Sequence, residues 1–159
     1  LATQGRYDES LASMRAILDQ IDAKESANLD AALRFEILVL QTKKGLRSGG
    51  DLPTALEWYQ VQQELLSSSR HYYPSLEWGG RIKLAQKDFA GAGELFEKLA
   101  SVDWPGYRER SQRYLALVAL EQGRGEEAAR LFGDILASTN SGGAVDWEKS
   151  LARIGRAAA

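Results

Sequence analysis

Cysteine is absent from the 159-residue sequence, and histidine occurs once, at position 71. Disulfides, thiolate chemistry and cysteine-ligated zinc are therefore excluded, and one histidine is too few for a multi-histidine metal site. We expect no metal, no cofactor and no catalytic residue, and we place His71 in a surface loop between two helices. No apolar run approaches the ~20 residues that span a bilayer, so we expect no membrane insertion of this segment.

An excess of either charge sign is also missing. Twenty Lys and Arg residues stand against 22 Asp and Glu residues, a net charge of −2, which provides no basic field for nucleic acid. The glycine pair at 79–80 follows no strand and lacks the phosphate-loop pattern. It falls inside a predicted helix, where we expect a close helix–helix approach to explain it. These absences exclude most enzymes, and we expect a non-catalytic protein.

One pattern recurs four times along the chain: a turn, a small residue, and a large apolar residue four positions later. The pairs are Ser10 and Met14, Ala55 and Tyr59, Ala92 and Phe96, and Ala128 and Phe132, with the small residues 45, 37 and 36 positions apart. On a helix, residues four apart share a face, so the small residue lets a neighbouring helix approach and the large one fills the gap beside it. The recurrence predicts stacked helical hairpins.

Eight helices are predicted, and no strand-type alternation is sustained. Glycines at the turns, Gly5, Gly50 and Gly123, are expected to end the preceding helix with positive φ, and Lys87 stands where the third turn would have glycine. Prolines fall only at predicted helix starts, where the missing N–H costs nothing. The helices are predicted over 7–21, 28–46, 53–69, 74–87, 89–101, 106–122, 125–138 and 146–157.

Two segments carry a family resemblance. Residues 85–99 (AQKDFAGAGELFEKL) and 120–132 (LEQGRGEEAARLF) resemble the tetratricopeptide-repeat superfamily. The family's first-helix glycine matches Gly80, and its C-terminal proline falls near Pro105. Lys87 in place of the turn glycine and Gly125 in place of an aromatic depart from the family pattern.

This resemblance implies an all-α fold, a right-handed superhelix of about three and a half helix pairs. One domain over 1–159 would hold repeats at about 1–22 (partial), 28–69, 73–103 and 106–139. A capping helix is expected at 145–158, with Trp147, Leu151 and Ile154 on one stripe; the alternative is a helix that packs on a neighbouring domain or a second copy. The first residues look like the end of a helix, so we expect a fragment of a larger protein.

Helical repeats of this family bind peptides or partner helices on a concave face built from the first helix of each pair. Arginines in this face would favour an acidic peptide or a peptide C-terminus, although a solvated charged face explains the same residues. The chaperone-binding carboxylate clamp of the family is not supported, because Glu77 and Arg81 occupy one pair of its positions. The repeat register places the groove on Arg34, Gln41, Tyr73, Glu77, Arg81, Arg110, Arg113, Tyr114 and Leu117, with Lys44 as a further candidate.

Aromatic residues offer a second kind of contact. Trp58 neighbours a core position and is expected to point to the outer side or to a neighbour, and Trp104 is expected in a loop as an exposed contact residue. The alternative is that these rings only fill the wider gaps left by long loops.

The sequence therefore predicts a protein-binding scaffold module, of a type common in bacterial secretion and envelope assembly. Self-association is a further expectation. The alternative is a sensor or oligomerisation domain of a signal-responsive transcription regulator, whose DNA-binding domain would lie elsewhere. Zero cysteine fits the cytoplasm and the periplasm equally.

Overall fold

A computed structural model describes the backbone of residues 2–139 and the side chains of residues 5–104 and 106–138. This part of the chain is all-helical, and consecutive helices within each compact unit pack against each other. The helices are α1 (Ala2–Leu18), α2 (Ala27–Ser48), α3 (Leu52–Leu66), α4 (Tyr72–Ala85), α5 (Phe89–Ala100), α6 (Pro105–Glu121) and α7 (Gly125–Thr139).

Seven of the predicted helices are confirmed, with ends within a few residues except at α1. That helix begins at Ala2, so the expected turn at Gly5 is wrong: Gly5 lies inside a continuous helix. The predicted capping helix at 145–158 lies outside the described residues.

The chain divides into two compact units between Gln86 and Lys87. In the first unit, α2 is central and packs against α1, α3 and α4, and α3 also packs against α4. In the second unit, α6 packs against both α5 and α7. The buried core of α6 and α7 consists of Ala116, Ala119, Ala128, Leu131, Phe132 and Ile135.

Positive φ angles mark three of the helix-to-helix turns. Gly123 has φ of 73°, as expected, whereas in the second turn it is Gly49, at 70°, rather than Gly50 that takes this conformation. Lys87 also has a positive φ, 63°, at the position where glycine is expected. A side chain with a Cβ is disfavoured there, and the turn persists because Asp88 caps the next helix by accepting from the Gly91 N–H at 3.0 Å.

Replacing Lys87 with glycine should stabilise the protein by about 0.5–1 kcal/mol, because glycine adopts positive φ without a Cβ clash. Chemical denaturation followed by circular dichroism measures the change. The reverse substitution at the equivalent turn, Gly123→Ala, should destabilise by a similar amount. An unchanged or lower stability of Lys87→Gly would show that the Lys87 side chain makes a compensating contribution.

The close helix approach expected at Gly79-Gly80 is confirmed at Gly79. The ring of Tyr59, from α3, lies against the Gly79 backbone, and a Cβ at Gly79 would come within 2.7 Å of three ring carbons. Tyr59 is only 4% exposed, and this burial raises the pKa of its hydroxyl. Helices α3 and α4 are therefore joined by a ring-on-backbone contact that any larger residue at position 79 would obstruct.

Candidate functional site

The residues predicted to line a groove lie on three helices. Arg34 and Gln41 are on α2, and Tyr73, Glu77 and Arg81 are on α4, which packs against α2 in the first unit. The remaining four lie on α6 of the second unit: Arg110, Arg113, Tyr114 and Leu117.

The Arg34 guanidinium is held inside the first unit. Its Nε and Nη2 donate to the two carboxylate oxygens of Asp30 at 2.7 and 3.0 Å, and its Nη1 donates to Gln62 Oε1 at 2.9 Å. Trp58 Nε1 donates to the Arg34 carbonyl oxygen at 3.2 Å, so Trp58 points toward the neighbouring helix α2. Because these donors are already paired, we assign Arg34 to α2–α3 packing rather than to ligand binding.

Gln41 and Lys44 face a pocket between α1, α2 and α3. The Lys44 Nζ lies 2.8 Å from Asp8 Oδ1 and 3.3 Å from Asp51 Oδ2, and the hydrogen bond to Asp8 raises the pKa of Lys44 above its usual value. Gln41 is buried, and its Oε1 has no hydrogen-bond partner among the described residues. Neither side chain extends freely into solvent.

On α4 the three predicted residues have different environments. Tyr73 is exposed and its ring lies 5.2 Å from that of Tyr72. Glu77 is buried. The Arg81 guanidinium stacks on the indole of Trp78, with its Cζ 4.1 Å from the ring centroid.

On α6, two of the predicted residues serve packing. The Tyr114 ring stacks on Phe96 with centroids 4.6 Å apart, and Leu117 packs against the α6–α7 core. Arg110 and Arg113 lie over the rings of Tyr107 and Tyr114, at 5.2 and 5.3 Å.

A basic–aromatic surface in the first unit was only partly predicted. Lys43 and Arg47 lie one turn apart on α2. The Lys43 Nζ lies 6.0 Å from the centroid of Trp78, and the Arg47 Cζ lies 5.6 Å from that of Tyr7 on α1. We define the α2 basic face as Tyr7, Lys43, Arg47, Trp78 and Arg81.

The cations of the α2 basic face are not neutralised within the described part of the chain. Lys43, Arg47 and Arg81 make cation–π contacts with Tyr7 and Trp78, and none has a carboxylate within ion-pair distance there. A cation over an aromatic ring is oriented without losing its charge. Three such cations on packed helices can together hold an anionic group.

Lys43 and Arg47 have a weak signal in the sequence. They are two steps of an i, i+3, i+7 stripe that begins at Leu40, and this stripe lies on a different face of α2 from Arg34 and Gln41. The repeat register, which the longer spacing of the second repeat makes ambiguous, selected Arg34 and Gln41, whose side chains are paired or buried inside the first unit.

His71 immediately precedes α4 and is half-buried. Its ring stacks on Phe35 with centroids 4.9 Å apart. Burial lowers the pKa of His71 below its usual value, and the neighbouring Arg70 acts in the same direction. Its position between two helices agrees with the sequence analysis. Trp104 lies between α5 and α6 and is 63% exposed.

No cluster of three or more metal-ligating side chains occurs among the residues described here. Within those same residues, no helix has the length and apolar character to cross a membrane. No protein-family model, curated protein or solved structure matches the chain.

Proposed function

We propose that this chain is a non-catalytic module of tetratricopeptide type that binds an acidic segment of a partner protein on the α2 basic face. The observation that carries the proposal is Trp78, which is contacted by Arg81 from its own helix and by Lys43 from α2. Neither cation has a carboxylate partner within the described residues. The proposed superhelix would place α2 and α4 side by side on the concave face.

Charge complementarity supports an acidic ligand. The Arg81 guanidinium can pair with a carboxylate through two parallel hydrogen bonds, and Lys43 adds a compact positive charge on the other helix. The Trp78 ring, which both cations approach, offers apolar contact to the stem of a Glu or Asp side chain. Because the net charge of the whole chain is −2, a polyanion without a matching shape gains little from the protein's overall field.

The test is fluorescence anisotropy with a fluorescein-labelled peptide of about 18 residues, long enough to be helical in part. It carries Leu at i, i+3, i+4 and i+7 spacing and Glu at the flanking positions; a second peptide has Gln in place of every Glu. Binding of the Glu peptide that weakens as salt is added supports the proposal. Equal binding of both peptides contradicts an electrostatic site, and binding of neither contradicts the function.

Reversing two charges of the face should weaken binding of the Glu peptide at least about tenfold, or about 1.4 kcal/mol. The variant is Lys43→Glu with Arg81→Glu. The matched control, Lys24→Glu with Lys87→Glu, makes the same change in net charge at two exposed turn positions and should bind within about twofold of the wild type. Equal losses in both variants would show that only net charge matters. Displacement of the peptide by single-stranded DNA would assign the face to nucleic acid instead.

A further inference from the structure

Helix α1 carries a mostly apolar stripe that the other described helices leave partly exposed. Tyr7, Ser10, Met14 and Ile17 follow helical spacing and share one face. Ser10 is exposed, Ile17 is 49% exposed, and Met14 is half-buried. The buried side of α1 is instead formed by Leu11, and α1 packs mainly against α2.

The same stripe is buried in other hairpins. Ala55 of α3 and Ala128 of α7 correspond to Ser10, and both are 0% exposed. The large residues one turn later, Tyr59 and Phe132, are 4% and 1% exposed. In those hairpins, α2 packs on α3 and α6 packs on α7. In both of these hairpins the stripe is therefore buried by the preceding helix.

A groove lies beside the open stripe. Its cavity of about 210 Å³ is lined by Arg6, Tyr7, Ser10 and Leu40, between α1 and α2. The Arg47 guanidinium lies over the Tyr7 ring at the same place. Neither Arg6 nor Arg47 has a carboxylate within ion-pair distance among the described residues. The groove thus has a mainly apolar lining with two cationic side chains, Arg6 and Arg47, beside it.

We infer that this groove docks an amphipathic α-helix of the acidic partner. An apolar side chain of that helix fills the cavity, and its flanking carboxylates pair with Arg6 and Arg47. A helix rather than an extended strand fits because the small Ser10 permits close backbone approach and the stripe repeats every three to four residues. The inference rests on the proposed function and specifies the conformation of the acidic ligand.

The experiment compares two forms of the Glu peptide: one with its helix locked by side-chain lactam bridges, and one with a central proline. A docked helix predicts that the locked form binds about tenfold tighter than the proline form, because its ordering entropy is already removed. Equal affinities would overturn the helical ligand. Retained sensitivity to Lys43→Glu with Arg81→Glu would, in that case, leave the proposed function standing.

Filling the groove should block the helix. Ser10→Trp places a bulky ring on an exposed position, so folding is expected to be retained, and it should weaken the locked peptide about tenfold or more. Ala16→Trp lies on the same helix but away from the stripe and should bind like the wild type. Peptide binding unchanged by Ser10→Trp would overturn the site. Light scattering provides a second check. If the wild-type chain self-associates and Ser10→Trp converts it to monomer, the groove is occupied by a second copy of the chain and the inference is overturned.

Discussion

Gly79→Ala is expected to destabilise the first unit by about 2 kcal/mol. The added Cβ would come within 2.7 Å of three ring carbons of Tyr59. Tyr59 is buried and cannot withdraw without displacing α3 or α4. Overpacking of this kind costs about 1–3 kcal/mol, and the roughly 1 kcal/mol gained by replacing a helical glycine offsets only part of it.

Urea denaturation followed by tryptophan fluorescence measures this loss, because Trp58 and Trp78 both belong to the first unit. Gly5→Ala, inside α1 of the same unit, is the matched control, since a Cβ there meets nothing within 4 Å. That variant should gain about 0.5–1 kcal/mol from helix propensity alone. In a Tyr59→Leu background, the cost of Gly79→Ala should shrink markedly. Equal effects at positions 79 and 5 would contradict the ring-on-backbone contact.

Phe132→Ala should destabilise the second unit by about 4 kcal/mol. Phe132 is 1% exposed and belongs to the core cluster of α6 and α7. Truncation removes its transfer free energy and leaves a cavity that the surrounding alanines, Ala116, Ala119 and Ala128, are too short to fill.

Denaturation followed by far-UV circular dichroism provides the measurement for Phe132. Phe132→Leu should cost much less, about 1–1.5 kcal/mol, because most of the volume remains. Arg130→Ala, on the exposed side of α7, removes only the surface pair with Asp134 at 3.4 Å and should change stability by less than about 0.5 kcal/mol. A loss at Phe132 no larger than at Arg130 would contradict the assigned core.

Much of the candidate site could not be predicted from the sequence, because its residues are far apart in the chain and meet only when the helices pack. Arg34 was predicted to face a ligand, but a guanidinium on α2 meets the amide of Gln62 only once α2 and α3 pack. Lys43 and Trp78 are 35 positions apart in the chain, and only the packing of α2 against α4 brings the cation to the ring. Arg81 was the one groove prediction that also belongs to this face.

Helix positions and excluded chemistries could be predicted from the sequence alone. The spacing of small and large apolar residues marked α1, α3, α5 and α7, and the turns and prolines between them indicated the remaining helices. The absence of cysteine and the single histidine determined which chemistries are excluded. Both depend on residue identity and near neighbours, which helix periodicity converts into a buried stripe.

Tertiary structure alone decided which cations are neutralised and which stripe stays open. Lys44 and Arg47 are three positions apart on α2, yet Lys44 pairs with Asp8 and Asp51. The Arg47 guanidinium instead lies over the ring of Tyr7, with no carboxylate within ion-pair distance among the described residues. Ser10 fits the same pattern as Ala55 and Ala128, yet it alone of these three is exposed. The physical reason is the same in both cases: charge pairing and burial are set by the neighbouring helix, and the residue's own helix does not specify that neighbour.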